Sequence, residues 1–184
     1  MEYIKPKKFY YVLHPRPTAV IVSKCPNMKY NIMSASWVTP VSEEPPTIAI
    51  AIDREAYTNQ CLEFHREATI NIPTMEQIDV VYSVGSVSGR EVDKISKYGI
   101  VLENSNNISV PRWRDAACWY ETKIIGFHDI GEVRLYIFEV IDYYCKKDVA
   151  NEWGWDIYKT SPALHGVGRT FYYVGKYARA KSST

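Results

Sequence analysis

Apolar and polar positions along the chain predict a protein built mainly of β-strands. Runs rich in β-branched and aromatic residues predict strands over 18–24, 29–39, 47–52, 68–73, 118–128 and 133–142. Three segments, 57–68, 76–86 and 88–99, have the composition and spacing of short helices. Because the strands cluster instead of alternating regularly with helices, the pattern favours an antiparallel sheet or barrel with inserted helices over a doubly wound parallel sheet.

Turns and the tail complete this outline. The residues DIGE at 129–132 separate the last two strand runs, which predicts a hairpin. PVSEEPP at 40–46 is predicted to be a turn that ends the strand over 29–39. The tail is mostly irregular, with one late strand at TFYYVGKY, 170–177. No linker or repeat divides the chain, so we predict a single domain over 1–184 with a C-terminal extension from about residue 146.

Composition excludes several classes of protein. The chain has 184 residues, of which 46% are hydrophobic and 23% charged, the balance of a globular protein. A net charge of +1 gives no argument for binding nucleic acid or an anionic membrane. No apolar run approaches the ~18 residues of a membrane span, and the N-terminus lacks an apolar signal core. These features predict a cytoplasmic protein.

The four cysteines, Cys25, Cys61, Cys118 and Cys145, show no metal-binding pattern. None stands in a CxxC pair, and no histidine lies at zinc-finger spacing from any of them, so no metal site is predicted. The default expectation is four free thiols in a reducing cytoplasm. A structural disulfide is the alternative for a protein from a hyperthermophile.

One strand has an unusual composition for a core strand. Residues 31–39 include the small or hydroxyl-bearing Ser34, Ser36 and Thr39, with the large Trp37 among them. GxGxxG, GxxxxGK[ST], GxSxG and HExxH are all absent from the sequence. Small residues let a flat ligand lie close to the strand backbone, where free N–H and C=O groups can bind its edge. Small residues also allow close packing against another chain, and the residues alone favour neither explanation over the other.

Six separated motifs occur in unbroken order and resemble one family. The sequence from about Arg16 to Asp142 is similar to the flavin reductase-like family, the FMN-binding split barrels that include flavoredoxins. The resemblance implies a six-stranded antiparallel Greek-key split β-barrel with a few short helices. It also implies a homodimer that binds FMN, with FAD possible, near the subunit interface. The motifs are NIMSASWVTPVSEEPP at 31–46, DREAYTNQCLEF at 53–64, INIP at 70–73, SGREVDKI at 88–95, ETKIIG at 121–126 and GEVRLYIFEV at 131–140.

The resemblance also implies which residues bind the cofactor. The strand supplies residues for the flavin ring and ribityl chain, the start of the 57–68 helix meets the phosphate, and a basic residue contacts the cofactor. Each has an ordinary structural explanation as well: a core Trp, a helix-capping Thr, or a solvated Lys. The cofactor-binding candidates are Asn31, Ser34, Ser36, Trp37, Thr39, Arg54, Thr58, Asn59, Arg90 and Lys94.

One position departs from the family pattern. Many members carry a His in the segment that reads GEVRLYIFEV here, and this chain has Val133 at that position. That leaves the catalytic residues unknown, with His128 and His165 as weak candidates. Three functions stay open: an NADH- or NADPH-dependent flavin or ferric reductase, an FMN electron carrier that serves a redox partner protein, and a fold relative whose groove serves only dimer packing.

Overall fold

The computed structural model describes residues 1–180, and its main feature is one antiparallel sheet of seven strands. Across the sheet the strands follow the order β2-β1-β5-β6-β7-β4-β3. Residues 181–184 of the predicted extension lie outside the described residues. The strands are β1 (Ala19–Lys24), β2 (Tyr30–Ala35), β3 (Val38–Glu43), β4 (Pro46–Asp53), β5 (Glu67–Ile72), β6 (Cys118–Ile130) and β7 (Val133–Cys145).

The sheet closes into a barrel because its two edge strands are consecutive in the chain. Strands β2 and β3 lie at opposite edges, yet only Ser36 and Trp37 connect them. A link of two residues covers three Cα–Cα steps and spans at most about 11 Å, so the end of β2 and the start of β3 must lie close together. Trp37 already belongs to the β3 side, since its carbonyl accepts a hydrogen bond of 3.0 Å from the backbone N–H of Ala51 in β4.

The segment 29–46 forms two strands where one strand and a turn were predicted. Strand β3 continues through Pro40 to Glu43, so most of the predicted turn PVSEEPP is strand. A proline is tolerated there because β3 is an edge strand, and the pairing with β4 shifts register between Pro40 and Ser42. The predicted fold class, a mainly β antiparallel split barrel with a few short helices, is confirmed. The sheet has seven strands instead of the six that the resemblance implies.

Two apolar clusters lie on the two faces of the sheet. Strand β1 is buried on both faces, with Ile21 inside the barrel and Val20 and Val22 in the outer cluster. Tyr136 and Phe138 of β7 are fully buried and fill the barrel. The outer cluster is covered by a helix and by residues 100–116. Burial on both faces explains the continuous apolar run AVIV at the start of β1.

The helices are short and lie outside the barrel. Helix α2 (Ile78–Ser86) packs on β2 and buries Val81 and Val84 in the outer cluster. The predicted helix over 88–99 shrinks to four residues, because 88–91 form a turn in which the N–H of Glu91 bonds to the carbonyl of Ser88. No helix within residues 1–180 is long and apolar enough to cross a membrane. The other helical segments are α1 (Thr58–His65), α3 (Lys94–Lys97) and the 3-10 turns Phe9–Leu13 and Met75–Gln77.

The C-terminal extension returns to the barrel and pairs with the N-terminal segment. Leu164–His165 pairs with Arg16–Pro17 on one side and with Phe171–Tyr172 on the other. Ala163 bonds through its backbone to both Thr18 and Pro73. The late strand predicted over 170–177 is thus reduced to two residues. The remaining short strand pairs are Ala150–Asn151 with Gly154–Trp155 and Leu102–Glu103 with Arg112–Trp113.

Both pairs of cysteines form disulfides, so the expectation of four free thiols is wrong. Cys25, in the turn after β1, is joined to Cys61 of α1. Cys118 and Cys145 face each other across β6 and β7 and are joined there. The partners are 36 and 27 residues apart in the chain, and only the fold brings them together.

Candidate functional site

Three neighbouring cavities follow strand β2 from one end to the other, and we call them together the β2 cleft. The basic cavity, of about 220 Å3, is bordered by Asn31, Gly89, Arg90 and Lys94. The small-residue cavity, of about 250 Å3, is bordered by Ser34, Ser36, Gly85 and His165. The Arg16 pocket, of about 240 Å3, shares Ser36, His165 and Gly168 with the small-residue cavity and is also bordered by Tyr10, His14, Arg16 and Trp37.

The basic cavity is lined by three cationic side chains, those of Lys29, Arg90 and Lys94, and by two carboxylates, those of Glu91 and Asp93, which leaves an excess of positive charge. Lys94 is only 5% exposed and donates a hydrogen bond of 2.7 Å from Nζ to the carbonyl of Val84. Within residues 1–180 it forms no ion pair. Burial disfavours the ammonium form and lowers the pKa of Lys94 from its ordinary 10.5 to about 8. Arg90 lies nearby with its guanidinium over the ring of Tyr57, at 5.7 Å from the centroid. This end of the cleft is therefore suited to an anion.

Asn31 is held in this cavity by Thr58. Its Nδ2 donates a hydrogen bond of 2.9 Å to Thr58 Oγ1, and the Thr58 hydroxyl donates to Met33 Sδ at 3.2 Å. The Asn31 Oδ1 lies against Gly89, where any Cβ would collide with it. Only glycine therefore allows the 88–91 turn to approach β2 so closely.

Thr58 supports the cavity from behind instead of lining it. The resemblance implied that Thr58 meets the phosphate, but its side chain is 2% exposed and is engaged with Asn31 and Met33. The next two backbone amides, those of Asn59 and Gln60, are already bonded to the carbonyls of Ala56 and Tyr57. The basic side chains, more than the start of α1, make this end of the cleft attractive to an anion.

The small residues of β2 make room for both a helix and a cavity. Ser34 Oγ donates to the carbonyl of Val81, and its Cβ would lie 3.3 Å from a Cβ at Gly85. Ser36 Oγ lies 3.2 Å from His165 Nδ1, so the tail closes over the end of the strand. The small residues thus allow close packing of α2 of the same chain and leave open space beside it, and both explanations given from the sequence stay predictions.

The tail loop that closes the cleft depends on one glycine. His165 Nε2 lies 3.0 Å from the carbonyl of Gly168, which has φ of +62°. That left-handed conformation lets the loop turn between its two short strands. The other aromatic residues of the tail lie elsewhere: Trp153 and Tyr158 are exposed, and Trp155 borders an apolar groove on another side of the barrel.

Not all predicted site residues meet in the cleft. Thr39 borders the apolar groove, and His128 is exposed on β6 near the hairpin turn that also holds Val133. Arg54 lies 3.9 Å from Asp129 and borders a separate small cavity with Arg90. Asn59 uses its side-chain amide to bind the carbonyls of Asp53, Arg54 and Ala56 and the hydroxyl of Tyr136. The cleft brings together Asn31, Ser34, Ser36, Trp37, Arg90, Lys94 and His165.

One end of the cleft is formed by residues that were not predicted from the sequence. The N-terminal segment contributes Tyr10, Tyr11, His14 and Arg16, none of which was predicted to be in a site. An available signal was the concentration of two tyrosines, a histidine and an arginine within seven residues, 10–16. Gly89 was also missed, and only its contact with Asn31 in three dimensions explains it.

The chain matches one protein-family model and is similar to a protein of Escherichia coli and to two flavoredoxins of known structure. The family model described as flavin reductase like domain matches residues 11–179. An uncharacterized protein of Escherichia coli, YddH, is 31% identical over 170 residues, which cover 90% of each chain. The solved structure of flavoredoxin of Desulfovibrio vulgaris is 25% identical, with a TM-score of 0.81 and 92% of each chain covered. That of flavoredoxin from Methanosarcina acetivorans is 22% identical, with a TM-score of 0.88 over 100% of this chain and 97% of the other.

The buried Lys94 predicts a pH dependence of stability. Between its folded pKa of about 8 and its unfolded pKa of 10.5 the unfolded chain binds more protons, so stability rises with pH. We expect the free energy of unfolding to gain about 2 kcal/mol from this group between pH 7 and 9.5. Urea unfolding at the two pH values checks this for the flavin-free protein. Lys94→Met should remove the gain, and the exposed Lys97→Met on the same helix should keep it. An equal gain in Lys94→Met would contradict the assignment.

Proposed function

The chain belongs to the flavin reductase like family, and we propose that it binds FMN along the β2 cleft and acts as an oxidoreductase. The observation that carries the proposal is the arrangement of the cleft. Lys94 and Arg90, which form no ion pair within residues 1–180, stand at one end, and a strand of small residues with an aromatic side chain follows. This order of chemistry suits a molecule with a phosphate at one end and a flat ring at the other.

The residues present fit FMN by their donor set and by the space they leave. The Lys94 ammonium and the Arg90 guanidinium provide charge for a phosphate, and the Asn31 amide lies beside them. Gly89 keeps the basic cavity open where a side chain would collide with Asn31. Ser34 and Ser36 present short side chains where a ring needs access to the backbone. These features support FMN more than a flavin without phosphate.

In this proposal the protein binds, orients and shields the cofactor. When bound, FMN supplies the two-electron redox chemistry of its ring. Lys94 and Arg90 hold the phosphate end, and Thr58 keeps the Asn31 amide in place. The loop around His165 and Gly168 covers the other end and limits access of water. The His165 imidazole lies next to the Ser36 hydroxyl at that strand end.

We rank a flavin or ferric reductase that uses NADH or NADPH first. Transfer of a hydride needs an oriented pair of rings and no protein acid or base, so Val133 in place of the family's His is compatible with it. An FMN electron carrier is the second candidate. It is favoured by the similarity to a flavoredoxin at 25% identity and by the tail loop that closes over the cleft.

We also propose that the protein is a homodimer. An apolar groove of about 580 Å3 is bordered by Val38, Ile48, Tyr120, Tyr143 and Trp155. A second copy that packs there would remove these apolar side chains from water. Light scattering at micromolar concentration should give twice the mass of the chain. Tyr143→Asp should yield monomers, while Tyr158→Asp, outside the groove, should not; a monomeric wild type would refute the dimer.

The phosphate assignment predicts that the protein distinguishes FMN from riboflavin. Charge-assisted hydrogen bonds contribute roughly 1.5–3 kcal/mol each, so riboflavin should bind at least about tenfold more weakly. Titration followed by flavin fluorescence measures both dissociation constants. Lys94→Met should narrow the difference, whereas Lys97→Met should leave it unchanged. Equal affinity of the wild-type protein for both flavins would exclude a phosphate in the basic cavity.

Anaerobic mixing with nicotinamides separates the reductase from the carrier. If the protein is a reductase, NADH or NADPH should bleach the visible absorbance of the bound flavin within seconds, a turnover time typical of enzymes. Trp37→Ala, at the ring end of the cleft, should change that rate, and the exposed Trp153→Ala should not. Flavin that stays oxidised with both nicotinamides, but is reduced by dithionite, would exclude the reductase and favour the carrier.

A further inference from the structure

The Arg16 pocket contains an arginine without an anionic partner. Among the residues that the structure describes, Arg16 forms no ion pair with a carboxylate. Its Nε is buried and has no hydrogen-bond partner, and Nη2 has one long contact of 3.4 Å with His14 Nε2. Burial disfavours the charged form and lowers the pKa of the guanidinium. A buried donor left unpaired is uncommon in proteins and indicates a missing partner.

Aromatic rings form the walls around this guanidinium. Arg16 lies over the rings of Trp37 and Tyr10, at 5.4 and 5.8 Å from their centroids. Tyr10 and Trp37 pack edge to face, with 5.5 Å between their centroids. The rings of His14 and His165, which also border the pocket, lie 5.8 Å apart. Flat apolar walls around one fork of N–H donors suit a planar ring that carries a carboxylate.

The size of the pocket limits the ligand to a small molecule. Its volume is about 240 Å3, below the roughly 300–1,000 Å3 of pockets that hold drug-sized ligands. A dinucleotide does not fit in such a space, whereas a single substituted ring does. His14 Nδ1 is already engaged with the carbonyl of His165, and His165 with Ser36 and Gly168, so both imidazoles are fixed in the wall.

We propose that the Arg16 pocket binds a small aromatic carboxylic acid, with its carboxylate on Arg16 and its ring between the aromatic walls. Binding of the acid does not depend on the proposed function. The role of the acid as a second ligand of a flavoprotein does rest on the proposed function. If FMN occupies the rest of the cleft, the acid lies next to it across Ser36 and His165. This assigns the substrate class of the site from the pocket itself.

Binding of 4-fluorobenzoate, followed by 19F NMR on the full-length protein without flavin, tests the proposal. The wild-type protein should bind the acid at least about tenfold more tightly than 4-fluorobenzamide, which has the same shape without the charge. This comparison needs no variant. Arg16→Gln should weaken binding of the acid at least about tenfold and leave the amide unchanged. The affinity of Arg16→Lys for the acid should lie between those of the wild type and Arg16→Gln, because lysine keeps the positive charge but lacks the planar guanidinium.

Controls separate the pocket from general basicity and from other anions. Arg114→Gln removes an exposed arginine that pairs with Asp115, outside the cleft, and should bind the acid like the wild type. Equal binding of acid and amide, or wild-type affinity in Arg16→Gln, would overturn the proposal. So would pyrophosphate that displaces the acid at a lower concentration than benzoate does, since the site would then serve a phosphate-bearing ligand.

The same samples keep this proposal distinct from the proposed function. Titration with FMN after the NMR measurement reports whether each variant is folded and has an intact basic cavity. Loss of acid binding with FMN binding retained is the expected result for Arg16→Gln. A wild type that binds FMN but not the acid overturns only the Arg16 pocket. A wild type that binds the acid but not FMN overturns the flavin assignment and supports the pocket.

Discussion

The two-residue connection between opposite edges of the sheet is the constraint on which the rest of the molecule depends. Ser36 and Trp37 must carry the chain from β2 to β3, and this forces the seven strands to curl until the edges meet. At such a crossing the strand has no neighbour on one side, and its backbone borders open space. The cleft is therefore a product of barrel closure, and the small side chains of β2 keep it from being filled.

The cleft also contains two cationic side chains that form no ion pair among the described residues. Lys94 at one end and Arg16 at the other are both desolvated, and neither pairs with a carboxylate within residues 1–180. A buried cation without a partner lowers the stability of the folded chain. An anion that binds only the folded state recovers that loss, by mass action. The ligand-free protein is thus less stable than it would be with paired cations, and binding of an anionic ligand offsets this loss. Lower stability at a functional site is common in proteins.

Much of the barrel could be predicted from local pattern, and much of the site could not. The long apolar runs on either side of DIGE predicted the hairpin of β6 and β7, because alternation and a tight turn are local signals. The division of 29–46 into two strands depends on β3 being an edge strand, where Pro40 is tolerated, and edge position is a property of the whole sheet. The resemblance named Asn31 and Lys94, which border the same cavity, and Thr58, whose hydroxyl accepts a hydrogen bond from Asn31 behind that cavity.

The residues that were missed share one physical cause. His14 contacts the backbone of His165 across 151 positions, and the disulfides join cysteines that no short motif connects. Such pairings arise from chain topology, and the periodicity of apolar residues along the sequence does not predict them. The same limit applied to Gly89, whose importance comes from the Asn31 oxygen beside it and from no feature of its own segment.

The pairing of Arg16–Pro17 with Leu164–His165 has a consequence for how the chain moves. The Arg16 pocket is walled by residues 10–16 and 165–168, which a short ladder joins, while the barrel is braced by long strands and two disulfides. We expect separation of these two segments to be a local opening that requires less free energy than global unfolding. A molecule bound in the Arg16 pocket contacts both segments, so its affinity is thermodynamically linked to their pairing.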